Sequence, residues 1–342
     1  MNFVAWTWGP QGFGTYRVAG GTFERTDGVA ECVLAPGFVD THIHGGFGLD
    51  WMEQPDCLPE LAEHLARVGV EFFLPTTISY PLADVRRAIG GLTAHPMIAG
   101  FHLEGPFLSR KYPGAQPESA LLDPADRGPG WDEVLNDPRL RIVSMAGELP
   151  GAHELAANLT QRGVIVSQAH TDATYEQAHA AFQAGATHLT HFYNAMRGFT
   201  HREPGTVGFG LTEPAATCEL IYDRVHVNPV AAQLLLQSKP ADKVIAISDA
   251  SKAAGMAAGT EMRMWGHDVR VGEGEVRLAN GALAGSAVTL FDCFCNLAED
   301  FGLETAMRLT SVNPRNALKL PPPRRWVELS LNLELRAVHE AS

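Results

Sequence analysis

The chain has 342 residues and a formal net charge of −13, with 45% apolar and 19% charged residues. This composition is typical of a globular protein with a large core, and it excludes a low-complexity or disordered chain. The negative charge argues against nucleic acid or an anionic membrane as the main partner, because both select a basic surface.

The N-terminus has no basic segment followed by an apolar run, and no stretch approaches the roughly 18 apolar residues that span a bilayer. The five cysteines form an odd set without a CxxC pair: Cys32, Cys57, Cys218, Cys293 and Cys295. This pattern fits reduced thiols better than a disulfide framework, so we expect a cytoplasmic location.

From residue 36 onward, short apolar runs alternate with amphipathic segments. The runs predict eight strands, at 37–43, 72–78, 97–103, 140–145, 164–169, 187–192, 217–222 and 243–247. Helical patterns lie between many of them, at 58–68, 82–94, 152–162, 174–184 and 229–237. This alternation predicts a parallel sheet with covering helices, and eight strands favour a closed (β/α)₈ barrel over an open doubly wound sheet. No GxGxxG motif follows the first strand, which argues against a dinucleotide-binding fold.

Three stretches break the alternation. Residues 107–130 are rich in Pro, Gly and Ser and predict a long loop after the third strand, and residues 256–283 predict a hairpin insertion after the eighth. The chain ends, 1–35 and 321–342, contain short alternating runs that do not fit the barrel. We expect them to pair in a small β domain, reduced by the shortness of both ends, beside a catalytic barrel at 36–320.

The first predicted strand ends in His42-Ile43-His44. Side chains two positions apart on a strand point to the same side, so both imidazoles can face one metal ion. The active sites of (β/α)₈ barrels lie at the carboxyl ends of the strands, which strengthens the metal interpretation over that of ordinary polar strand ends.

Later strands also end in ionisable residues. These are Glu104 after strand three, His170 after strand five, His191 after strand six, His226 after strand seven and Asp249 after strand eight. A single histidine beside an apolar strand is more often structural than a ligand. Five separate strands that all end in His, Glu or Asp favour a convergent metal site.

Five motifs, in this order and spacing, resemble the N-acetylglucosamine-6-phosphate deacetylase family of the amidohydrolase superfamily. They are HLEGPF (102–107), THFYNAM (190–196), REPG (202–205), SDA (248–250) and LAGSA (283–287). The resemblance implies that Glu104, His170 and His191 bind a metal and that Asp249 is the catalytic acid and base. In members that keep HxH, the two histidines serve a second metal, so His42 and His44 are candidates for that role.

The resemblance also implies a set of substrate contacts. They map onto Ala115, Gln116, Asn194, Ala195, Arg202, His226, Leu283, Ala284 and Gly285. At Gln116 the chain departs from the family, which often has a histidine there, and glutamine can hydrogen-bond but carries no charge. Arg202 suits a phosphate group, because guanidinium binds phosphate oxygens through a planar, bidentate fork.

These residues predict a hydrolase that removes the acetyl group from N-acetylglucosamine 6-phosphate with metal-activated water. Asp249 would move the proton, and His226 or the metal would polarise the carbonyl group. We expect one or two divalent cations per chain, Zn²⁺ first, with Fe²⁺, Mn²⁺ or Co²⁺ as alternatives. The resemblance also implies a homodimer.

Three alternatives stay open at this point. The first is the same chemistry on N-acetylgalactosamine 6-phosphate, which differs at one hydroxyl group. The second is a cyclic-amide amidohydrolase similar to dihydroorotase, although such enzymes usually carry a bridging carboxylated lysine and no lysine stands at a predicted strand end. The third is a non-catalytic barrel, which should have lost metal ligands or Asp249.

Overall fold

The computed structural model describes residues 2–272, 274–278, 281 and 283–340. Eight parallel strands form a barrel at its centre. In chain order they are Phe38–Ile43, Val70–Pro75, Phe101–Glu104, Leu140–Met145, Ile165–Gln168, His188–Leu189, Thr217–Ile221 and Val244–Ile247. Each strand overlaps the apolar run that predicted it, so the (β/α)₈ fold is confirmed.

Strand pairing is parallel around the whole ring. Strands three to eight form one continuous sheet, strand one pairs with strand two, and isolated bridges join strands two and three. The ring closes between strands eight and one, where the N–H of Asp249 donates to the carbonyl oxygen of His42 at 3.0 Å. This closure places the SDA motif directly beside the HxH motif.

Helices surround the barrel. Within the described residues the α-helices are Leu58–Arg67, Leu82–Gly90, Pro129–Leu135, Ala152–Gln161, Tyr175–Gln183, Gly205–Thr212, Pro229–Ser238, Leu290–Phe301, Leu303–Met307 and Asn313–Ala317, with a π-helical turn at Arg308–Val312. The first helix buries four apolar residues at helical spacing, Leu58, Leu61, Ala62 and Leu65. The helix Tyr175–Gln183 begins at a capping box between Thr174 and Gln177. Sequence periodicity predicted five of these helices. They are Leu58–Arg67, Leu82–Gly90, Ala152–Gln161, Tyr175–Gln183 and Pro229–Ser238.

Buried hydroxyl groups cross the middle of the barrel below the strand ends. His102 Nε2 lies 2.7 Å from Ser144 Oγ, which lies 2.6 Å from Thr190 Oγ1, and Thr190 donates to Ser167 Oγ at 2.6 Å. Burial and the neighbouring His42 lower the pKa of His102 to about 4, so this imidazole is neutral. Each of these four buried polar side chains beneath the site therefore has a hydrogen-bond partner.

The two chain ends form one six-stranded sheet. Its strands are Asn2–Gly9, Gly12–Ala19, Thr22–Arg25, Cys32–Pro36, Arg325–Leu329 and Leu335–Glu340. The expected β appendage is therefore present, while its exact boundaries at 36 and 320 stay a prediction. Residues 1, 341 and 342 of that prediction lie outside the described residues.

The region after strand eight forms a separate antiparallel sheet of four strands. They are Glu261–Met264, His267–Val271, Glu275–Leu278 and Leu283–Ser286. Residues 273, 279, 280 and 282 of the predicted hairpin region lie outside the described residues. Across the part of the chain that the structure describes, no helix is both long and apolar enough to cross a membrane.

Candidate metal centre

A pocket of about 400 Å³ opens at the carboxyl ends of the barrel strands. The predicted site residues that line it are His44, Glu104, Ala115, Gln116, His170, His191, Asn194, Ala195, His226, Asp249, Leu283 and Gly285. His42 and Ala284 are fully buried behind this surface. Arg202 is exposed and lies outside the lining.

The first group of side chains that could hold a metal ion contains Glu104, His170 and His191. Glu104 Oε1 lies 3.1 Å from His191 Nε2 and 3.3 Å from His170 Nε2, and the two Nε2 atoms are 3.2 Å apart. All three residues are buried. They follow or end strands three, five and six, so the curvature of the barrel sheet brings them together.

The second group contains His42, His44 and Asp249. The Nε2 atoms of the two histidines are 3.2 Å apart, and Asp249 Oδ1 lies 3.3 Å from the first and 3.2 Å from the second. The pairing of strands eight and one produces this arrangement. Asp249 therefore stands within reach of a cation held by the HxH motif.

Glu104 connects the two groups. Its Oε1 faces His170 and His191, while its Oε2 lies 3.8 Å from His42 Nε2 and 3.5 Å from His44 Nε2. Burial disfavours its charge, but the surrounding imidazoles outweigh burial and hold the pKa of Glu104 well below its usual range. One carboxylate thus presents one oxygen to each group, as a bridging ligand would.

Hydrogen bonds to backbone carbonyl oxygens fix the tautomers of His170 and His44. His170 Nδ1 lies 2.8 Å from the carbonyl oxygen of Tyr112, and His44 Nδ1 lies 3.2 Å from that of Thr76. A carbonyl oxygen only accepts, so each Nδ1 carries the proton and each neutral Nε2 turns a lone pair into the pocket. Lone pairs that converge with carboxylate oxygens fit a divalent cation at each group.

His42 has a different neighbour behind its ring. Its Nδ1 lies 3.7 Å from Glu219 Oε2, and both buried atoms lack a hydrogen-bond partner among the described residues. The other oxygen of Glu219 accepts from Thr41 Oγ1 at 3.1 Å. Burial lowers the pKa of His42, but Glu104, Asp249 and Glu219 outweigh it and raise the pKa to about 9. The surplus of negative charge around this imidazole favours a cation.

Three of these residues have a left-handed backbone. The φ angles are +44° at His170, +33° at His191 and +48° at Asp249. Residues with a Cβ rarely adopt this conformation, which costs on the order of 1–2 kcal/mol each. The strands end in this strained turn, and the three residues lie together at the pocket.

Gln116 lies against the bridging carboxylate. Its Nε2 donates to Glu104 Oε2 at 2.7 Å, and its Oε1 accepts from the backbone N–H of Ser79 at 2.7 Å. The side chain is only 7% exposed. Both ends of the amide are thus occupied within the protein, so Gln116 holds Glu104 in place as well as lining the pocket.

Two glycines allow the loops to approach the ligands closely. Gly114 has a φ of +57°, and a Cβ there would lie 3.0 Å from the His170 ring. Gly285 has a φ of +62°, and a Cβ there would lie 3.1 Å from the carbonyl oxygen of Asp249. A side chain at either position would narrow the pocket.

His226 lines the pocket and is held from behind by Asp223. Its Nδ1 lies 2.6 Å from Asp223 Oδ2. Burial disfavours the charged imidazole, but this hydrogen bond and the charge of Asp223 outweigh it and raise the pKa of His226. Asp223 therefore orients the His226 ring and favours its protonated form.

Sequence reasoning missed several neighbours of the site. Trp265, in the turn between the first two strands of the four-stranded sheet, lines the pocket 5.1 Å from the His44 ring. Its Nε1 donates to Asp50 Oδ2 at 3.1 Å. Nothing in its local sequence indicates this position. Glu219 did leave a signal, because it is a single charge within the apolar strand Thr217–Ile221.

Comparison with known proteins gives a consistent result. Residues 33–323 match the Amidohydrolase family. An N-acetylgalactosamine-6-phosphate deacetylase of Escherichia coli O157:H7 is 38% identical over 302 residues, covering 84% of this chain and 78% of the relative. An N-acetylglucosamine-6-phosphate deacetylase of Lysinibacillus sphaericus is 36% identical over 297 residues, covering 84% and 76%.

A solved structure extends the similarity to nearly the whole chain. The N-acetyl-D-glucosamine-6-phosphate deacetylase of Mycobacterium smegmatis has a TM-score of 0.88 and 30% identity to this chain. The match covers 99% of this chain and 98% of that one. The resemblance seen in the sequence motifs is confirmed, and the chain belongs to the amidohydrolase family.

Proposed function

We propose that this protein hydrolyses the acetamido group of N-acetylglucosamine 6-phosphate, giving glucosamine 6-phosphate and acetate. The observation that carries the proposal is the pair of ligand groups joined by Glu104 at the base of one pocket, with Asp249 beside them. Relatives that share 36% of their residues with this chain act on the same substrate according to their names.

We further propose that each group binds one divalent cation, with Glu104 shared between them. The imidazole and carboxylate ligands suit Zn²⁺, with Fe²⁺, Mn²⁺ and Co²⁺ as alternatives. A cation in this position would polarise the amide carbonyl and make hydroxide available near neutral pH. The carboxylate and imidazole lone pairs of the two groups are the protein's contribution to that chemistry.

Asp249 is the proposed proton carrier. Burial raises its pKa, but the neighbouring His42, His44 and His191 outweigh burial and lower the pKa to about 2. The side chain is therefore a carboxylate at neutral pH and can accept the proton of the attacking water. Amide cleavage then requires a proton on the leaving nitrogen, and the protonated Asp249 is placed to deliver it.

His226 is the proposed donor to the amide carbonyl. Asp223 fixes the ring and favours its protonated form. A donor held in place before the reaction stabilises the charge that develops on the carbonyl oxygen, an effect worth about 3–4 kcal/mol in other hydrolases. Asn194 and Ala195, with the Leu283–Ser286 strand, form the walls against which the sugar would pack.

A homodimer belongs to the same proposal. Arg202, the predicted phosphate ligand, is exposed outside the pocket lining of its own chain. Phe199, three residues earlier in the chain, is 59% exposed. A second copy that covers this surface would bury Phe199 and bring Arg202 to an interface.

We also propose a cytoplasmic location for the protein. All five cysteines are free thiols, which fits a reducing compartment.

The second candidate function is the deacetylation of N-acetylgalactosamine 6-phosphate. It is favoured by the 38% identity to the Escherichia coli enzyme of that name. A cyclic-amide reaction has less support, because the side chain between the two groups is the carboxylate of Glu104 and not a lysine. A non-catalytic barrel has less support still, because both ligand groups and Asp249 are intact.

The test is acetate release from the two 6-phosphorylated N-acetylhexosamines and from their unphosphorylated forms, with metal content measured on the same samples. We expect the highest kcat/KM on N-acetylglucosamine 6-phosphate. A higher value on the galacto epimer would establish the second candidate. Absence of turnover on both phosphorylated sugars by metal-loaded protein would refute the deacetylase proposal.

A further inference from the structure

Lys111 is the one lysine or arginine among the described residues that line the pocket. The other ionisable groups there are Tyr112, His226 and those side chains of the two candidate metal groups that reach the pocket. The whole chain carries a net charge of −13. A sugar phosphate carries about −1.5 to −2 charges at pH 7. Lys111 is therefore the one permanently charged cationic side chain that it meets among the described residues of the cavity.

The ion pairs of Lys111 leave a net positive charge beside the pocket. Its Nζ lies 2.6 Å from Asp172 Oδ2, and Arg197 Nη2 lies 2.8 Å from Asp172 Oδ1. Arg197 Nε also donates to the carbonyl oxygen of Asp172 at 2.8 Å. One carboxylate is thus shared by two cations, so the three side chains together carry a charge of +1.

A second carboxylate near this cluster faces elsewhere. Glu148 accepts from the backbone N–H of Asp172 at 2.7 Å and from Thr171 Oγ1. Its side chain lines a different cavity, together with Gly151 and Glu176. Its oxygens accept hydrogen bonds from residues 171 and 172, and it makes no ion pair with Lys111 or Arg197 among the described residues.

The side chain of Lys111 is free to change partner. It is 74% exposed, compared with 30% for Arg197 and 15% for Asp172. Exposed ion pairs contribute little to stability, so the ammonium group can turn to an incoming anion while Arg197 stays on Asp172. The backbone is held in place, because the next residue, Tyr112, accepts the hydrogen bond of the ligand His170.

We propose that Lys111 is a phosphate anchor of the substrate pocket, with Arg197 neutralising Asp172 so that the ammonium charge is available. The proposal rests on the proposed function and assigns its anion subsite to a side chain within the pocket of one chain. This contact is separate from any made by Arg202. Lys111 thereby distinguishes phosphorylated from unphosphorylated sugars without touching the reacting amide.

Two variants with opposite effects test the assignment. Lys111→Met should raise the KM for N-acetylglucosamine 6-phosphate about tenfold, the loss of one charge-assisted contact, with kcat and the KM for N-acetylglucosamine unchanged. Asp172→Asn removes the competing negative charge and should lower the KM for the phosphorylated sugar. If the Lys111–Asp172 ion pair only stabilised the local structure, both variants would break it. Both would then change the KM in the same direction, and both would change the melting temperature in the same direction.

Two further measurements complete the test. Calorimetric binding of glucosamine 6-phosphate should weaken in Lys111→Met and recover in Lys111→Arg, and it does not depend on turnover. Lys252→Met is a control for the loss of a lysine ion pair, because Lys252 pairs with Glu53 at 2.8 Å outside the pocket lining. Unchanged binding in Lys111→Met would overturn the anchor, whether or not the protein is active. Inactivity of the wild type on both phosphorylated sugars, with this binding intact, would overturn only the proposed reaction.

Discussion

Glu219 is expected to set the affinity of the metal bound by the HxH motif. Its free oxygen lies 3.7 Å from the unpartnered Nδ1 of His42, and both atoms are buried. A shift of about 0.8 Å would bring them to hydrogen-bond distance. The change Glu219→Gln removes the charge while preserving shape and the contact with Thr41.

The size of the effect follows from the state of His42. Two unit charges 3.7 Å apart would interact by about 4 kcal/mol at an effective dielectric constant near 20. A metal-bound imidazole is neutral and carries only part of that interaction, and loss of such carboxylate partners typically lowers metal affinity about 10- to 100-fold. We therefore expect a loss of about 1.4–2.7 kcal/mol in binding at the second group, with the first group unchanged.

The assay is metal content per chain, measured by mass spectrometry across a series of buffered free Zn²⁺ concentrations. The wild type should titrate in two steps, and Glu219→Gln should shift only one. Glu328→Gln is the matched control, since Glu328 accepts from His339 at 2.8 Å in the six-stranded sheet, far from the barrel strand ends. Two steps at wild-type positions in Glu219→Gln would refute the reasoning.

Three other variants test the remaining assignments. Asp249→Asn should lower kcat by about 10²- to 10⁴-fold while the metal at Glu104, His170 and His191 is retained; near-normal kcat would exclude Asp249 as the proton carrier. Gln116→Ala leaves the Ser79 N–H and one oxygen of Glu104 without their buried partner, so urea denaturation should show a free energy of unfolding lower by about 1–3 kcal/mol; an unchanged value would mean that water replaces the amide. Arg202→Ala should raise the KM for the phosphorylated sugar and leave that for the unphosphorylated sugar alone, and equal changes in both would argue against a phosphate role.

The sharing of Glu104 has a consequence for how the two groups behave. Because one carboxylate serves both, a cation in the first group fixes the oxygen that the second group uses. Gln116 already holds that second oxygen at 2.7 Å, so the chain arranges this carboxylate through its own hydrogen bonds. In this chain the glutamine that replaces the family's frequent histidine contacts Glu104 as well as lining the pocket.

The sequence alone determined the fold class and nominated the candidate metal ligands. Apolar runs of strand length, separated by amphipathic helices, have few arrangements other than a parallel barrel, and all eight runs became barrel strands. His42, His44, Glu104, His170 and Asp249 follow or end such runs, and a barrel gathers its strand ends at one face. Periodicity along the chain was therefore enough to nominate these residues.

Only the tertiary structure decided how those residues form two groups and which other side chains contact them. Ring closure between strands eight and one assigns Asp249 to the HxH pair, and Glu104 touches both groups because it projects between them. Glu219 and Trp265 reach the histidines from distant positions in the chain. Contacts of this kind depend on which faces meet when the barrel closes, and residue spacing along one strand or loop carries no information about them.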